Sequence, residues 1–340
     1  MSSNAAFISG CAGFELTDEE VAFFRDARPW GFILFKRNIQ NRPQVSALTA
    51  QLRDAVGRPD APVLIDQEGG RVQRMGPPEW PAYPSGRTFG QLAERDSAAG
   101  LRAAWLGARL IAADLAEVGI DVDCLPVLDV PVEGAHDVIG NRAYGREPTI
   151  VAALGRAAAE GLMAGGVLPV AKHIPGHGRA GVDSHLSLPV VDVPRAALEA
   201  TDFPPFAALA GLPLGMTAHV VYRAIDPDRP GTLSPVVVEE IIRGRIGFTG
   251  CLMTDDISMQ ALAGSLGDRS RAALDAGVDL VLHCSGRLDE MKQVAAACRP
   301  LEGAAALRAQ AALDARRRPE PIDLAAARDE LADLMAAAVV

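Results

Sequence analysis

Along most of the chain, short apolar runs alternate with longer stretches in which apolar positions recur every three or four residues. The runs at 6–10, 31–35, 62–66, 121–127, 168–173, 214–219, 250–255 and 279–283 are almost continuously apolar. That pattern predicts β-strands buried on both faces, as in a parallel sheet. Between them, 43–56, 97–119, 150–166 and 235–247 carry the amphipathic or alanine-rich pattern of helices that cover such a sheet. The uncharged run 203–222 is long enough to span a membrane by length alone. It is punctuated by Pro204, Pro205, Gly211, Pro213 and Gly215, so it predicts a helix, a turn and a strand instead. The tail, 302–340, predicts two peripheral helices around "RRRPEPIDL".

Eight alternating units fit an α/β fold of one kind above all, a single (β/α)8 barrel of the TIM type spanning 1–340, with 302–340 as C-terminal helices. An open doubly wound sheet is the competitor. It would normally carry a glycine-rich dinucleotide turn, and no GxGxxG follows the early strands. Polar residues decide further. Asp66, Lys172, His173, His219 and Asp255 all fall at or just after the C-terminal end of a strand. A barrel gathers those ends on one face, whereas an open sheet keeps them apart.

Four segments could carry chemistry. In "AKHIPGHGRAGVDSHLSLP" (171–189), His173 and His177 have the i, i+4 spacing of helical zinc motifs. Pro175, Gly176 and Gly178 argue against a helix there, and so against a metal. Lys172 and His173 would end a strand and face a polar ligand, or stand as a satisfied internal pair at the barrel mouth. Asp183 and His185, two apart, project to one side of an extended chain, so the carboxylate could orient the ring for general acid/base work. An Asx-turn with a surface histidine accounts for the same residues equally well. In "MTDDISM" (253–259), Asp255 and Asp256 follow a strand, and one of them could cap a helix. In "IDQEGGRVQRM" (65–75), Asp66 could accept bonds from hydroxyls and Arg74 could reach across the mouth; a salt-bridged loop is the alternative. Arg142, in "VIGNRAYG" (138–145), is a weak signal alone.

Composition narrows the partners. A net charge of −10 disfavours nucleic acid. Five widely spaced cysteines without a CxxC disfavour a disulfide framework or structural zinc and suit a reducing cytosol. The N-terminus lacks a basic signal-peptide region. The expectation is a cytoplasmic monomer with no membrane partner, no metal and no cofactor.

In order along the chain, "GFILFKRN", "LIDQEGGRVQR", "VIGNRAYG", "AKHIPGHG…DSH", "MTAHVVY…TLS" and "MTDDISM" resemble the bacterial β-N-acetylglucosaminidases of glycoside hydrolase family 3, the β-hexosaminidases of peptidoglycan recycling. The similarity runs from about residue 12 to 284. It implies a retaining glycosidase with Asp255 as nucleophile and His185, paired with Asp183, as acid/base. It also implies that Asp66, Arg74, Arg142, Lys172 and His173 bind a small carbohydrate, a GlcNAc-terminated muropeptide or chito-oligosaccharide. A loop from 176 to 186 would swing His185 into place. Arg179 and Ala180 stand where many members have Asp-Thr, which leaves Arg179 without an assigned role. A glycoside phosphorylase, a metal-dependent barrel hydrolase and a non-catalytic sugar-binding relative are the competing functions. Product analysis with and without phosphate, chelation and activity assays separate them.

Overall fold

The computed structural model describes residues 4–184 and 187–337. Eight strands form its centre: β1 (Ala5–Ser9), β2 (Pro29–Leu34), β3 (Val63–Ile65), β4 (Val122–Asp123), β5 (Leu168–Ile174), β6 (Leu214–Thr217), β7 (Cys251–Asp256) and β8 (Leu280–His283). Each pairs in parallel with its sequence neighbour, and β1 pairs with β8, so the sheet closes into the expected barrel.

Alternation along the strands builds two cores. On β2 and β3, Phe32, Leu34, Val63 and Ile65 pack with helix residues such as Leu48, Leu52 and Leu106. Their neighbours Ile33 and Leu64 join Val122, Val170, Met216, Met253 and Leu280 from the other strands in a second cluster. On β2 and β3 the alternation thus sends one set of side chains to the covering helices and the other toward the remaining strands, and the second cluster also takes in Leu274, Val294 and Leu313 from later helices.

Local chemistry sets the covering helices. Thr17 and Glu20 form a reciprocal capping box that starts Asp18–Ala27. Asn41 caps Arg42–Val56, which ends on Gly57 in the left-handed region at φ 63°. The 235–247 segment winds as a wide i→i+5 helix over Val236–Arg245. The 203–222 run divides as expected, into a helix (Phe203–Ala208), a turn and β6. The tail forms helices Gly303–Asp314 and Leu324–Ala337. Among the described residues, no helix is long and apolar enough to cross a membrane.

Candidate active site

A cavity of about 400 Å³ opens at the C-terminal ends of the strands. Ile33, Met216 and Leu282, from β2, β6 and β8, give it apolar walls. Asp66, Arg74, Arg142, Lys172, His173 and Asp255 all line it.

Two strands place consecutive polar residues there by breaking their own alternation. The β5–β6 register shifts between Lys172 and Ile174, and the β7–β8 register shifts between Met253 and Asp256. A bulge of this kind re-aims side chains. Lys172 and His173 therefore share the cavity, as do Asp255 and Asp256.

The cations are held in a network of acids. Lys172 Nζ donates to Asp66 Oδ1 at 2.9 Å and meets Glu68 Oε1 at 2.6 Å. Arg142 forks onto the same Glu68, through Nε to Oε2 at 2.9 Å and through its terminal nitrogen to Oε1 at 2.7 Å. Arg74 donates to Asp66 Oδ2 at 3.0 Å. Its guanidinium also lies 5.2 Å from the centre of the Phe35 ring. Burial alone would raise the Asp66 carboxyl, but the charges of Lys172 and Arg74 outweigh it and hold the group far below the usual carboxylate range. Lys172 shows the converse: burial opposes its charge, yet Asp66 and Glu68 push its pKa above the ordinary lysine value. The pairs stay ionised together and present fixed donors and acceptors to the cavity.

Arg74 does not stretch over the mouth to a distant partner. It pairs with Asp66 on its own hairpin, because Gln67 Oε1 accepts from the Arg74 and Met75 N–H groups, both at 3.0 Å, and folds the segment back. The hairpin requires its glycines. Gly69 sits at φ 87°, and a Cβ there would lie 2.2 Å from the Pro84 carbonyl oxygen.

His173 is fixed from behind. Its Nδ1 lies 2.6 Å from Asp129 Oδ2. Burial raises the Asp129 carboxyl, but His173 and His177 beside it bring it below its ordinary value. Asp129 is thus an anion that accepts Nδ1–H and leaves Nε2 as the ring's other polar atom. The same carboxylate accepts the backbone N–H of His177 at 2.6 Å. The His177 ring is buried, with Nε2 2.9 Å from Ser184 Oγ. Burial, then the neighbouring His173, lowers its pKa to about 4, so it is neutral at physiological pH.

The loop after β5 is anchored in its first half. A Cβ on Gly178 would lie 2.1 Å from the Val130 carbonyl, and the His136 N–H donates to Ala180 O at 2.8 Å. Arg179, unassigned from sequence, binds Asp202 at 2.7 Å and the Thr201 hydroxyl. Residues 176–180 are thus fastened to two neighbouring segments. Asp183 is half-buried in the second half. His185 and Leu186 lie outside the described residues.

At the end of β7, Asp256 does not cap a helix. Its carboxylate closes a turn, accepting from Ser258 N at 3.1 Å, Ser258 Oγ at 2.6 Å and Cys284 N at 3.2 Å. The next helix starts only at Leu266, capped by Ser265. Asp255 Oδ1 accepts the Asp256 N–H at 2.8 Å. Among the described residues, no group of three or more His, Cys, Asp or Glu is arranged to hold a metal ion.

Glu68 and Asp129 were not singled out from sequence. Glu68 lies inside the quoted "IDQEGGRVQRM", and Asp129 follows the fourth strand in "PVLD". A carboxylate just beyond a barrel strand was the available signal for both.

The residues 12–316 match the model of the glycosyl hydrolase family 3 N-terminal domain. A beta-hexosaminidase of Aromatoleum aromaticum is 40% identical over 278 residues, which cover 81% of this chain and 77% of that protein. One from Chromobacterium violaceum is 42% identical with the same coverage of both. The crystal structure of native NagZ from Neisseria gonorrhoeae superposes with a TM-score of 0.88 at 34% identity, covering 98% of each chain. The same protein in complex with N-trifluoroacetyl-D-glucosamine gives 0.89 at 34% identity, covering 98% of this chain and 99% of that one. With the barrel closed and the polar strand ends gathered in one cavity, the chain belongs to glycosyl hydrolase family 3, as a glycoside hydrolase of its beta-hexosaminidase branch.

Proposed function

We propose that the protein is a retaining, exo-acting β-N-acetylglucosaminidase that removes terminal GlcNAc from peptidoglycan fragments in the cytosol. The observation that carries this reading is the cavity itself, with Asp255 on one wall and the ion-paired Asp66–Lys172–Arg74 group in the same space. The complex of the Neisseria relative with an N-acylated glucosamine supports the choice of sugar.

In the proposed reaction, the terminal sugar's hydroxyls bond to Asp66, Arg74, Arg142, Lys172 and His173. Asp255 attacks the anomeric carbon, the bond to the leaving oxygen breaks, and a glycosyl ester forms. His185, oriented by Asp183, gives its proton to the departing oxygen and then takes one from the water that cleaves the ester. The assignment of His185 and Asp183 rests on the "DSH" sequence motif.

Incubation with a 5-fluoro-N-acetylglucosaminyl fluoride should trap the ester, and peptide mapping should place the sugar on Asp255. A label on another residue would remove Asp255 as nucleophile. His185→Ala should slow substrates with poor leaving groups far more than activated aryl glycosides. Equal slowing of both would remove His185 as the acid.

A further inference from the structure

The end of β7 is held unevenly on its two sides. Toward β6, pairing runs from Cys251 opposite Leu214 to Met253 opposite Met216, and stops two residues before Asp255. Toward β8, the register shifts between Met253 and Asp256. There the Leu282 N–H leaves the regular ladder for Thr254 Oγ1, at 2.9 Å. The backbone that carries Asp255 is therefore not fixed by the sheet on its β6 side.

A side chain takes the place of the missing pairing. His219, just beyond β6, brings Nε2 to 3.0 Å from the Asp256 carbonyl oxygen. A carbonyl only accepts, so Nε2 carries the hydrogen. Nδ1 of the neutral ring then accepts from Thr232 Oγ1 at 2.7 Å. Thr232 Oγ1 in turn lies 2.7 Å from Thr217 Oγ1, which can supply the next proton. The Ala218 carbonyl, at 3.1 Å, is the longer alternative for the Thr232 proton. Thr217, His219 and Thr232 are each fully buried. Burial lowers the His219 pKa, which keeps the ring in the neutral form this chain of bonds requires.

We infer that His219, with its tautomer set by Thr232 and Thr217, is a positioning residue that fixes the backbone of Asp255 and Asp256 for attack on the sugar. It acts through the Asp256 carbonyl. A satisfied core histidine would need no such target, and this one bonds to the residue following the proposed nucleophile. The inference rests on Asp255 being the nucleophile. The sugar-holding residues hang from β3, β5 and the loop after β4, so losing His219 should spare binding and slow the chemical step.

The test measures kcat and KM for 4-nitrophenyl β-N-acetylglucosaminide with His219→Leu, His219→Gln and Thr232→Val, and the inhibition constant of GlcNAc for each. His219→Leu should lower kcat about 30-fold or more while KM and the GlcNAc constant stay within about threefold. His219→Gln can donate to the carbonyl and accept from Thr232, and it should recover kcat to within about fivefold of wild type. Thr232→Val frees the tautomer and should lower kcat about five- to tenfold. An unchanged kcat in His219→Leu overturns the inference. So does an equal loss in His219→Leu and His219→Gln, or a loss carried in KM. Should His219→Leu fail to fold, Thr232→Val decides, and wild-type kcat there overturns it. Failure of the underlying functional reading would appear separately, as a wild-type enzyme labelled elsewhere than at Asp255 or inactive on the aryl glycoside.

Discussion

The carboxyl group of Asp123, on β4, is fully buried. Oδ1 accepts the Gln67 N–H at 3.0 Å, and among the described residues Oδ2 has no hydrogen-bond partner. Burial, with Asp66 and Glu68 nearby, raises its pKa well above the ordinary value, against the opposing Gln67 N–H and Lys172. An acid whose folded pKa is raised binds more protons folded than unfolded, so its contribution to stability falls as pH rises above the unfolded value of 3.8. Asp123→Asn removes that ionisation. Urea unfolding should show the variant gaining on wild type as pH climbs from 4 to 7, and equalling or exceeding it at pH 7. A variant that loses ground over that range would mean Asp123 is a stabilising anion. Asp66 behaves in the opposite sense: its depressed pKa stabilises the fold above the ordinary carboxylate range, and this is lost progressively as pH falls below the unfolded value of 3.8. At this scale the sequence placed Asp66, Lys172, His173 and Asp255 together, because each sits at a strand end that a barrel must gather, and all four line one cavity. It did not reveal Glu68, Asp129 or the role of His219. Their partners come from other strands or the loops after them, and the pairing of Arg142 with Glu68 joins positions 74 residues apart.

The strands themselves were legible because a strand buried on both faces has to be apolar throughout. The bulges were not, since a register shift leaves no mark in an apolar run. Yet the shifts at Lys172–Ile174 and Met253–Asp256 are what turn adjacent residues into one cavity. The second shift depends on Thr254, whose fully buried Oγ1 takes the Leu282 N–H that leaves the ladder. Thr254→Val keeps the shape and removes the acceptor. It should cost about 1–3 kcal/mol, the usual penalty for stranding a buried donor. Thr254→Ser keeps the acceptor and should cost less than Thr254→Val. Denaturant unfolding of the pair is the check. A serine variant less stable than the valine one would show that packing of the methyl, rather than the hydrogen bond, holds the bulge.

On the scale of the whole molecule, the tail joins the outer helical layer. Ala327 and Leu331 of the last helix are buried in the core cluster that includes Ala103, Leu106 and Leu110 of helix Ser97–Glu117. Beside them, Arg102 forks onto Glu330 at 2.7 and 2.8 Å, with both side chains well exposed. The connecting segment is tied by backbone: Glu320 N–H donates to Ala164 O at 2.8 Å, and Arg109 donates to Glu320 O at 2.7 Å. The apolar contacts should therefore dominate. Leu331→Ala should cost about 2–3 kcal/mol, near the lower end for a buried leucine. Arg102→Ala should cost no more than about 1 kcal/mol, because exposed pairs are screened and gain little. The last helix packs on helix Ser97–Glu117 and contributes no residue to the cavity lining, so both variants should keep wild-type kcat while folded. If barrel and tail form one cooperative unit, Leu331→Ala should shift a single thermal transition seen alike by far-ultraviolet circular dichroism and by activity. A separate early loss of helix, with activity retained, would instead make the last helix an independent appendage, and an Arg102→Ala effect larger than that of Leu331→Ala would make the ion pair its true anchor.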